Sequence, residues 1–188
     1  MKRMILASGS PRRKELLQVL EVPFEVLVSD TKEVITKNEP AEVTKELSYQ
    51  KAMAVAGQVE EGIIIGADTV VSIDGKILGK PADTEEAREM IYKLQGKSHM
   101  VYTGVTVIAK SGDMVSASSF AEGTKVNVAP MTENEIEAYI STDEPYDKAG
   151  AYGIQGLFGK FIEGIKGDYF NVVGLHVHRL YEELKKFD

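Results

Sequence analysis

The most apolar stretch of the chain, residues 62–73 (GIIIGADTVVSI), places the strongest limit on its fold. An apolar run rich in β-branched residues and bounded by turn signals is typical of a buried strand. We expect a central strand here, with an interruption. The Asp74-Gly75 pair that follows is a strong hairpin signal, and residues 76–78 predict the returning strand. This region therefore predicts the middle of a β-sheet.

Strands and helices alternate before this stretch, and long hairpins follow it. Asp83 with Glu86, and Thr132 with Glu135, match the cap-and-acid pattern at a helix start. We expect further strands at 4–7, 24–28, 98–109, 114–128 and 161–165, and helices at 11–20, 40–57, 84–94, 132–141 and 175–186. The pattern predicts an α/β fold with a mixed, partly antiparallel sheet flanked by helices. It is compatible with two lobes around a central cleft.

Composition excludes several classes of protein. A chain of 188 residues suits one large domain or two small lobes. There is no cysteine and no apolar run of 18 residues, so we expect neither disulfides nor a membrane span, and a cytoplasmic location. The three histidines are scattered and argue against structural zinc. A net charge of −7 disfavours general binding to nucleic acid, so an anionic substrate would need a local basic cluster.

Residues 7–13 (ASGSPRR) supply such a cluster. Ser10 and Pro11 match the N-cap and first position of a helix that follows a strand and a glycine turn. A turn of this kind favours anions through its backbone N–H groups and the helix dipole, and arginine binds phosphate through two N–H groups at once. The alternative is a solvated first turn, but Arg12 and Arg13 would then oppose the dipole. We interpret Ser8, Arg12 and Arg13 as an anion site.

Asp68 lies within the most apolar segment, where an unpaired carboxylate is costly to bury. It is either a structural residue at a strand break or a metal ligand or general base at a strand end. Lys80 could reach a phosphate. Glu33 and Lys51 taken alone are typical of a surface, and the histidines form no triad with a serine.

A glycine-rich segment, residues 147–156 (DKAGAYGIQG), is the last candidate. Glycines allow a ligand to approach the backbone closely, and Gln155 offers both a donor and an acceptor to the edge of a base. The alternative is a plain turn before a strand, and a glycine cluster alone is a weak signal.

Together, ASGSPRRKELL, GADTVV, LGKPAD and DKAGAYGIQG resemble the Maf family of nucleoside triphosphate pyrophosphatases, in the family's order over nearly the whole chain. The resemblance implies a single Maf-like domain, residues 1–188, with an elongated sheet related to that of inosine triphosphate pyrophosphatases. It implies two lobes around a nucleotide-binding cleft, and a homodimer.

The resemblance also implies roles for individual residues. Asp68 matches the family's proton acceptor. Arg12, Thr69 and Gln155 match positions tied to substrate choice, and Ser8, Arg13, Glu33, Lys51 and Lys80 match the polar lining of the cleft. The GIQG form resembles the branch that acts on dTTP and UTP, whereas another branch prefers 7-methyl-GTP.

The expected reaction is hydrolysis of dTTP and UTP, or of modified pyrimidine nucleotides, to monophosphate and pyrophosphate. Mg²⁺ or Mn²⁺, held by Asp68 with Glu33, would activate the attacking water. The rival from another class is a nucleotide-binding regulator without turnover, linked to cell division, with which the family is associated by name. A phosphotransferase would need a second substrate site, and the sequence shows none.

Overall fold

A computed structural model describes residues 3–28 and 30–187 of the chain. Within these residues, seven strands and six α-helices follow one another in mixed order. The strands are β1 (Met4–Leu6), β2 (Glu25–Val26), β3 (Glu61–Ile73), β4 (Lys76–Leu78), β5 (Ser98–Ser111), β6 (Met114–Val128) and β7 (Ile162–Lys166). The helices are α1 (Pro11–Gln18), α2 (Pro40–Ala56), α3 (Thr84–Leu94), α4 (Glu133–Ile140), α5 (Tyr169–Val173) and α6 (Val177–Leu184).

The strands form one mixed sheet in the order β2-β1-β3-β5-β6-β7, with β4 paired to β3 outside this sequence. β1 runs parallel to both β2 and β3, whereas β3–β4 and β6–β7 are antiparallel. This confirms the expected α/β fold with a partly antiparallel sheet. The Asp74-Gly75 hairpin, the Asp83 cap of α3 and the Thr132–Glu135 capping box of α4 are all present as expected.

The chain divides into two compact units. Unit 1 comprises Met1–Asp68, Thr103–Glu122 and Gly174–Asp188, and unit 2 comprises Thr69–Tyr102 and Gly123–Val173. Each has an apolar core of its own. In unit 1, side chains of β1, α2 and β3 pack together, and in unit 2 those of α3, α4 and the glycine-rich segment do so. The expected cleft between two lobes stays a prediction.

Two glycines bring α2 unusually close to the strands of unit 1. A Cβ on Gly66 of β3 would lie 2.2 Å from the carbonyl oxygen of Ser48 and 2.9 Å from the backbone nitrogen of Ala52. A Cβ on Gly104 of β5 would lie 2.3 Å from the carbonyl carbon of Thr44. Because these neighbours are helix backbone, only glycine permits this packing. The contact fixes which residues of α2 face β3.

The structure corrects two expectations. β3 continues through Asp68 without the expected interruption, because an ammonium group from α2 pairs with that carboxylate and offsets the cost of burying it. β2 is limited to Glu25–Val26, although the N–H of Leu27 still donates to Leu6 at 3.1 Å. The five-residue α5 lies where the sequence patterns predict no helix; Asp168 caps it by accepting the N–H of Asn171 at 2.6 Å.

Three short 3-10 helices lie within the glycine-rich segment and on either side of it: Glu144–Asp147, Ala149–Ala151 and Leu157–Phe161. Among the described residues, none of the helices combines the length and the apolar character that a membrane crossing requires.

Candidate active site

The turn between β1 and α1 is built by two serines. The Ser10 hydroxyl accepts the Arg13 backbone N–H at 3.5 Å, and Pro11 occupies the first helical position, as expected. The buried Ser8 hydroxyl accepts the Ser10 N–H at 3.3 Å. The first turn of α1 carries no acidic residue. Its dipole and remaining N–H groups therefore suit an anion.

Arg13 is held against this turn. Its Nη1 donates to the Ser8 hydroxyl at 3.2 Å, and its Nε donates to the carbonyl of Gly174 at 2.9 Å. Burial lowers the pKa of the Arg13 guanidinium, whereas the nearby Asp68 and Glu33 act in the opposite direction. Arginine nevertheless remains a cation at neutral pH. Arg13 is thus a fixed positive charge whose orientation is set before any ligand binds.

Asp68 lies in the middle of β3 and is 9% exposed. The Lys51 ammonium on α2 donates to its Oδ1 and lies 3.2 Å from Glu33 Oε1. One lysine therefore bridges two carboxylates that are far apart in sequence. Lys51 taken alone is typical of a surface side chain, yet the structure shows it joined to both acids.

Glu33 belongs to an exposed segment without regular secondary structure that precedes α2. The Gln50 side-chain amide accepts the N–H of Val34 at 2.9 Å and donates to its carbonyl at 2.7 Å. Thr36 donates its N–H to Glu46 at 2.9 Å, one helical turn before Gln50. These side chains of α2 anchor the segment beside Lys51. No local pattern in the sequence points to Gln50 or Glu46, since nothing in the sequence pairs them with residues 33–36.

The structure therefore brings together, within unit 1, five of the predicted site residues: Ser8, Arg13, Glu33, Lys51 and Asp68. Arg12 is the neighbour of Arg13 on the first turn of α1 and is partly buried. The cluster combines two acidic side chains, those of Glu33 and Asp68, with the cationic side chains of Arg13 and Lys51. Such a cluster can bind an anion through its cationic groups, and its carboxylates can accept a proton.

Three predicted residues belong to unit 2. Thr69 follows Asp68 on β3 and is partly buried. Lys80 is exposed just after β4, and Gln155 is exposed in a turn. Their grouping with the unit 1 residues stays a prediction.

The segment that leads to Gln155 is fixed on unit 2. Gly150 has a φ of +69°, which favours glycine, and a Cβ there would meet the Val71 side chain at 2.9 Å. Its N–H donates to the carbonyl of Gly79 at 2.9 Å. Glu144, to which no pattern in the sequence points, accepts the N–H of Leu157 at 2.7 Å. The glycines of this segment therefore allow close packing of the backbone, in addition to the close approach of a ligand that the sequence predicts.

The histidines take no part in the unit 1 cluster, as expected. His99 is buried with its Nε2 on the Tyr152 hydroxyl at 2.5 Å, and burial lowers its pKa to about 4. His176 caps α6 by accepting the Arg179 N–H at 3.1 Å. His178 is exposed. They are structural or surface residues.

A divalent cation was expected on Asp68 and Glu33. Within residues 3–28 and 30–187, no group of three or more histidine or carboxylate side chains is arranged to hold a metal ion. Mg²⁺, however, is usually bound by one or two carboxylates together with substrate phosphates and water. The oxygen donors of Asp68 and Glu33, joined through Lys51, fit that limited role in chemistry and number.

Known proteins resemble this chain in fold and in sequence. The solved structure of the Staphylococcus aureus Ham1 protein matches it with a TM-score of 0.55 at 14% identity, over 100% of both chains. That likeness shows a shared fold. Two curated relatives are each named dTTP/UTP pyrophosphatase. The one from Bacillus cytotoxicus is 53% identical and the one from Bacillus cereus 49%, and each match covers 100% of this chain and 97% of the relative.

The family comparison covers nearly the same residues that the structure describes. A model of the family described as Maf-like protein matches residues 3–187. The four motifs identified in the sequence fall within this span. The chain therefore belongs to the Maf family.

Proposed function

We propose that this protein hydrolyses dTTP and UTP to the nucleoside monophosphate and pyrophosphate. Membership of the Maf family and two full-length relatives named dTTP/UTP pyrophosphatase support it. The single observation that carries the chemistry is Asp68, a nearly buried carboxylate beside Lys51 and within the field of Arg13. A site for binding alone gains little from an acid placed beside a polyphosphate.

In this proposal, unit 1 neutralises the triphosphate. A nucleoside triphosphate carries about four negative charges at neutral pH, and a protein of net charge −7 would repel it without local compensation. Arg13, fixed by Ser8 and Gly174, and Arg12 at the start of α1 supply positive charge. Lys51 adds to it, and Lys80 of unit 2 is proposed to do the same. Because Lys51 also joins Asp68 and Glu33, it holds the two acids in place while it offsets their charge.

Asp68 is assigned as the general base. It accepts a proton from the water molecule that attacks the α-phosphorus. Asp68 and Glu33 are the residues that would hold Mg²⁺ or Mn²⁺, which when bound would neutralise phosphate charge and make water more acidic. Arg12, Thr69 and Gln155 are assigned to substrate choice, with Gln155 contacting the base. A homodimer and a cytoplasmic location remain part of the proposal.

The test is product analysis on a panel of nucleoside triphosphates with Mg²⁺ or Mn²⁺, comparing the unchanged protein with Asp68→Asn. We expect pyrophosphate and monophosphate from dTTP and UTP, and a fall in kcat of at least about a hundredfold in the variant, as for loss of a general base. Circular dichroism checks that the variant folds. Orthophosphate as the first product, or near-normal turnover by Asp68→Asn, would contradict the assignment. Binding without turnover would favour the regulator.

A further inference from the structure

The short turn that carries Gln155, residues 153–156, is here called the Gln155 turn. It is closed by the N–H of Gly156 on the carbonyl of Gly153 at 3.2 Å. Gln155 itself is exposed. A long exposed side chain can select a ligand by hydrogen bonding only if its backbone is held in place, because otherwise the cost of ordering it reduces the selectivity. What holds this turn therefore bears on specificity.

On its C-terminal side the turn runs into the 3-10 helix Leu157–Phe161, whose N-cap is Gly156 and has no side chain to offer. Glu144, 13 positions before Leu157, takes over the capping: its Oε2 accepts the N–H of Leu157 at 2.7 Å, and its Oε1 accepts the N–H of Phe158 at 3.3 Å. A carboxylate at this place satisfies two N–H groups that a helix start leaves open.

The Glu144 carboxylate also lies directly against the residue next to Gln155. A Cβ on Gly156 would be 2.4 Å from the carboxyl carbon and from both oxygens of Glu144. Gly156 has a φ of −98°, so its backbone conformation is open to other residues. A side chain at 156 would therefore require the Glu144 carboxylate to move.

The same glutamate is tied to the N-terminal side of the turn. The Tyr139 hydroxyl lies 3.2 Å from Glu144 Oε1 and 3.0 Å from the carbonyl of Ala151. The Lys148 ammonium donates to the backbone carbonyl of Glu144 at 2.8 Å, and its side-chain carbons lie against Gly153. Glu144 thus connects the residues before the turn with those after it.

We propose that Glu144 is a positioning residue that fixes the Gln155 turn and so sets the selectivity between pyrimidine bases. The inference rests on the proposed function, in which Gln155 contacts the base. Glu144 touches no substrate in this assignment; it acts through the backbone on either side of Gln155. Loss of the Glu144 side chain should therefore change the preference between nucleotides. It should have little effect on kcat with a poor substrate.

The experiment measures kcat/KM for dTTP and dCTP, which differ in the hydrogen-bonding groups at positions 3 and 4 of the ring. We expect Glu144→Ala to lower the dTTP/dCTP ratio by about tenfold, the size of one lost or misplaced hydrogen bond, while kcat with dCTP changes little. Hydrogen exchange of the Leu157 and Phe158 amides should become faster in the same variant. A general loss of structure would instead lower kcat/KM for both nucleotides equally and leave the dTTP/dCTP ratio unchanged, which would contradict the proposal.

Two further variants make the outcome specific. Glu137→Ala removes another carboxylate of unit 2, one that pairs with Arg88 at 2.6 Å and does not contact the turn, so the ratio should stay unchanged. Gln155→Ala tests the proposed function itself. An unchanged ratio in Glu144→Ala with a reduced ratio in Gln155→Ala overturns this inference alone. An unchanged ratio in both overturns the role of Gln155, and the inference with it.

If Glu144→Ala does not fold, Gly156→Ala tests the same contact from the other side. Its methyl group would displace the Glu144 carboxylate while leaving that charge in the protein. The dTTP/dCTP ratio should fall in the same direction. A folded Gly156→Ala protein with the original ratio would overturn the proposal.

Discussion

The two regions that hold the candidate site residues are organised by different forces. In unit 1, charged side chains hold one another: Lys51 joins Asp68 and Glu33, and Arg13 is fixed by Ser8 and a carbonyl. In unit 2, backbone N–H groups hold the Gln155 turn by donating to a carbonyl within the turn and to the Glu144 carboxylate, while Gln155 itself stays exposed. A region of the first kind fixes where charge lies. A region of the second kind fixes where a polar side chain can reach.

The difference matches what each region is proposed to do. Phosphate charge must be met by charges already in place, because their reorganisation during the reaction would add to the barrier. Nucleotide bases are distinguished by the positions of their hydrogen-bond donors and acceptors. The backbone that carries the side chain contacting the base must therefore be fixed. The unit 1 cluster should therefore respond most to changes that move or remove charge, and the Gln155 turn to changes that move backbone.

The largest effect is expected from Gly66→Ala, which tests whether the unit 1 cluster depends on the close approach of α2 to β3. The new methyl group would meet helix backbone at 2.2 Å and force α2, and with it Lys51, away from Asp68. We expect a loss of stability of about 1–3 kcal/mol, typical of overpacking, and a marked fall in kcat. Urea denaturation and steady-state kinetics measure the two effects.

Gly164→Ala is the matched control, because a Cβ on this strand glycine meets no atom within 4 Å. It should leave kcat unchanged. If Gly66→Ala were as stable and as active as Gly164→Ala, the position of Lys51 would not depend on this helix–strand contact.

A smaller effect is expected from Gln155→Glu, which keeps the backbone of the Gln155 turn and changes only the groups it presents. A carboxylate can accept hydrogen bonds but not donate them, so preference should shift away from uracil and thymine by roughly tenfold, the effect of one unmatched hydrogen bond. Competition between dTTP or UTP and other triphosphates measures the shift. The same order of preference in the variant would argue against base contact by Gln155.

The smallest effect is a pH dependence of stability that arises from a buried histidine of unit 2 and does not involve the unit 1 cluster. Burial lowers the pKa of His99 to about 4, below the ordinary value near 6.5. As pH falls below 6.5, the unfolded chain takes up a proton that the folded protein does not, so folding is weakened. This histidine should contribute a loss of about 1 kcal/mol between pH 6.5 and 5.5.

His99→Gln isolates that contribution, because the other titrating groups remain. Urea denaturation at the two pH values should show a smaller loss in the variant than in the unchanged protein. Equal losses in both proteins would mean that His99 gains its proton without unfolding.

Local patterns in the sequence determined much of the fold and part of the site. The Asp74-Gly75 hairpin, the cap of α3 by Asp83, the capping box at Thr132 and the Ser10-Pro11 start of α1 each depend on residues within a few positions of one another. Turn and capping chemistry acts over that range, so it could be predicted. The resemblance to the Maf family likewise predicted Asp68, Arg13 and Lys51 as site residues.

Tertiary structure decided what those residues touch. Asp68 does not interrupt β3, because Lys51, 17 residues away on α2, pairs with it. Glu144 lies 13 residues before the N–H group of Leu157 that it binds. Such partners depend on how a helix packs on a sheet, and that packing is set by close contacts such as Gly66 against Ser48. The sequence determined which residues carry charge and where the chain turns; the packed structure decided which charges and which backbone groups meet.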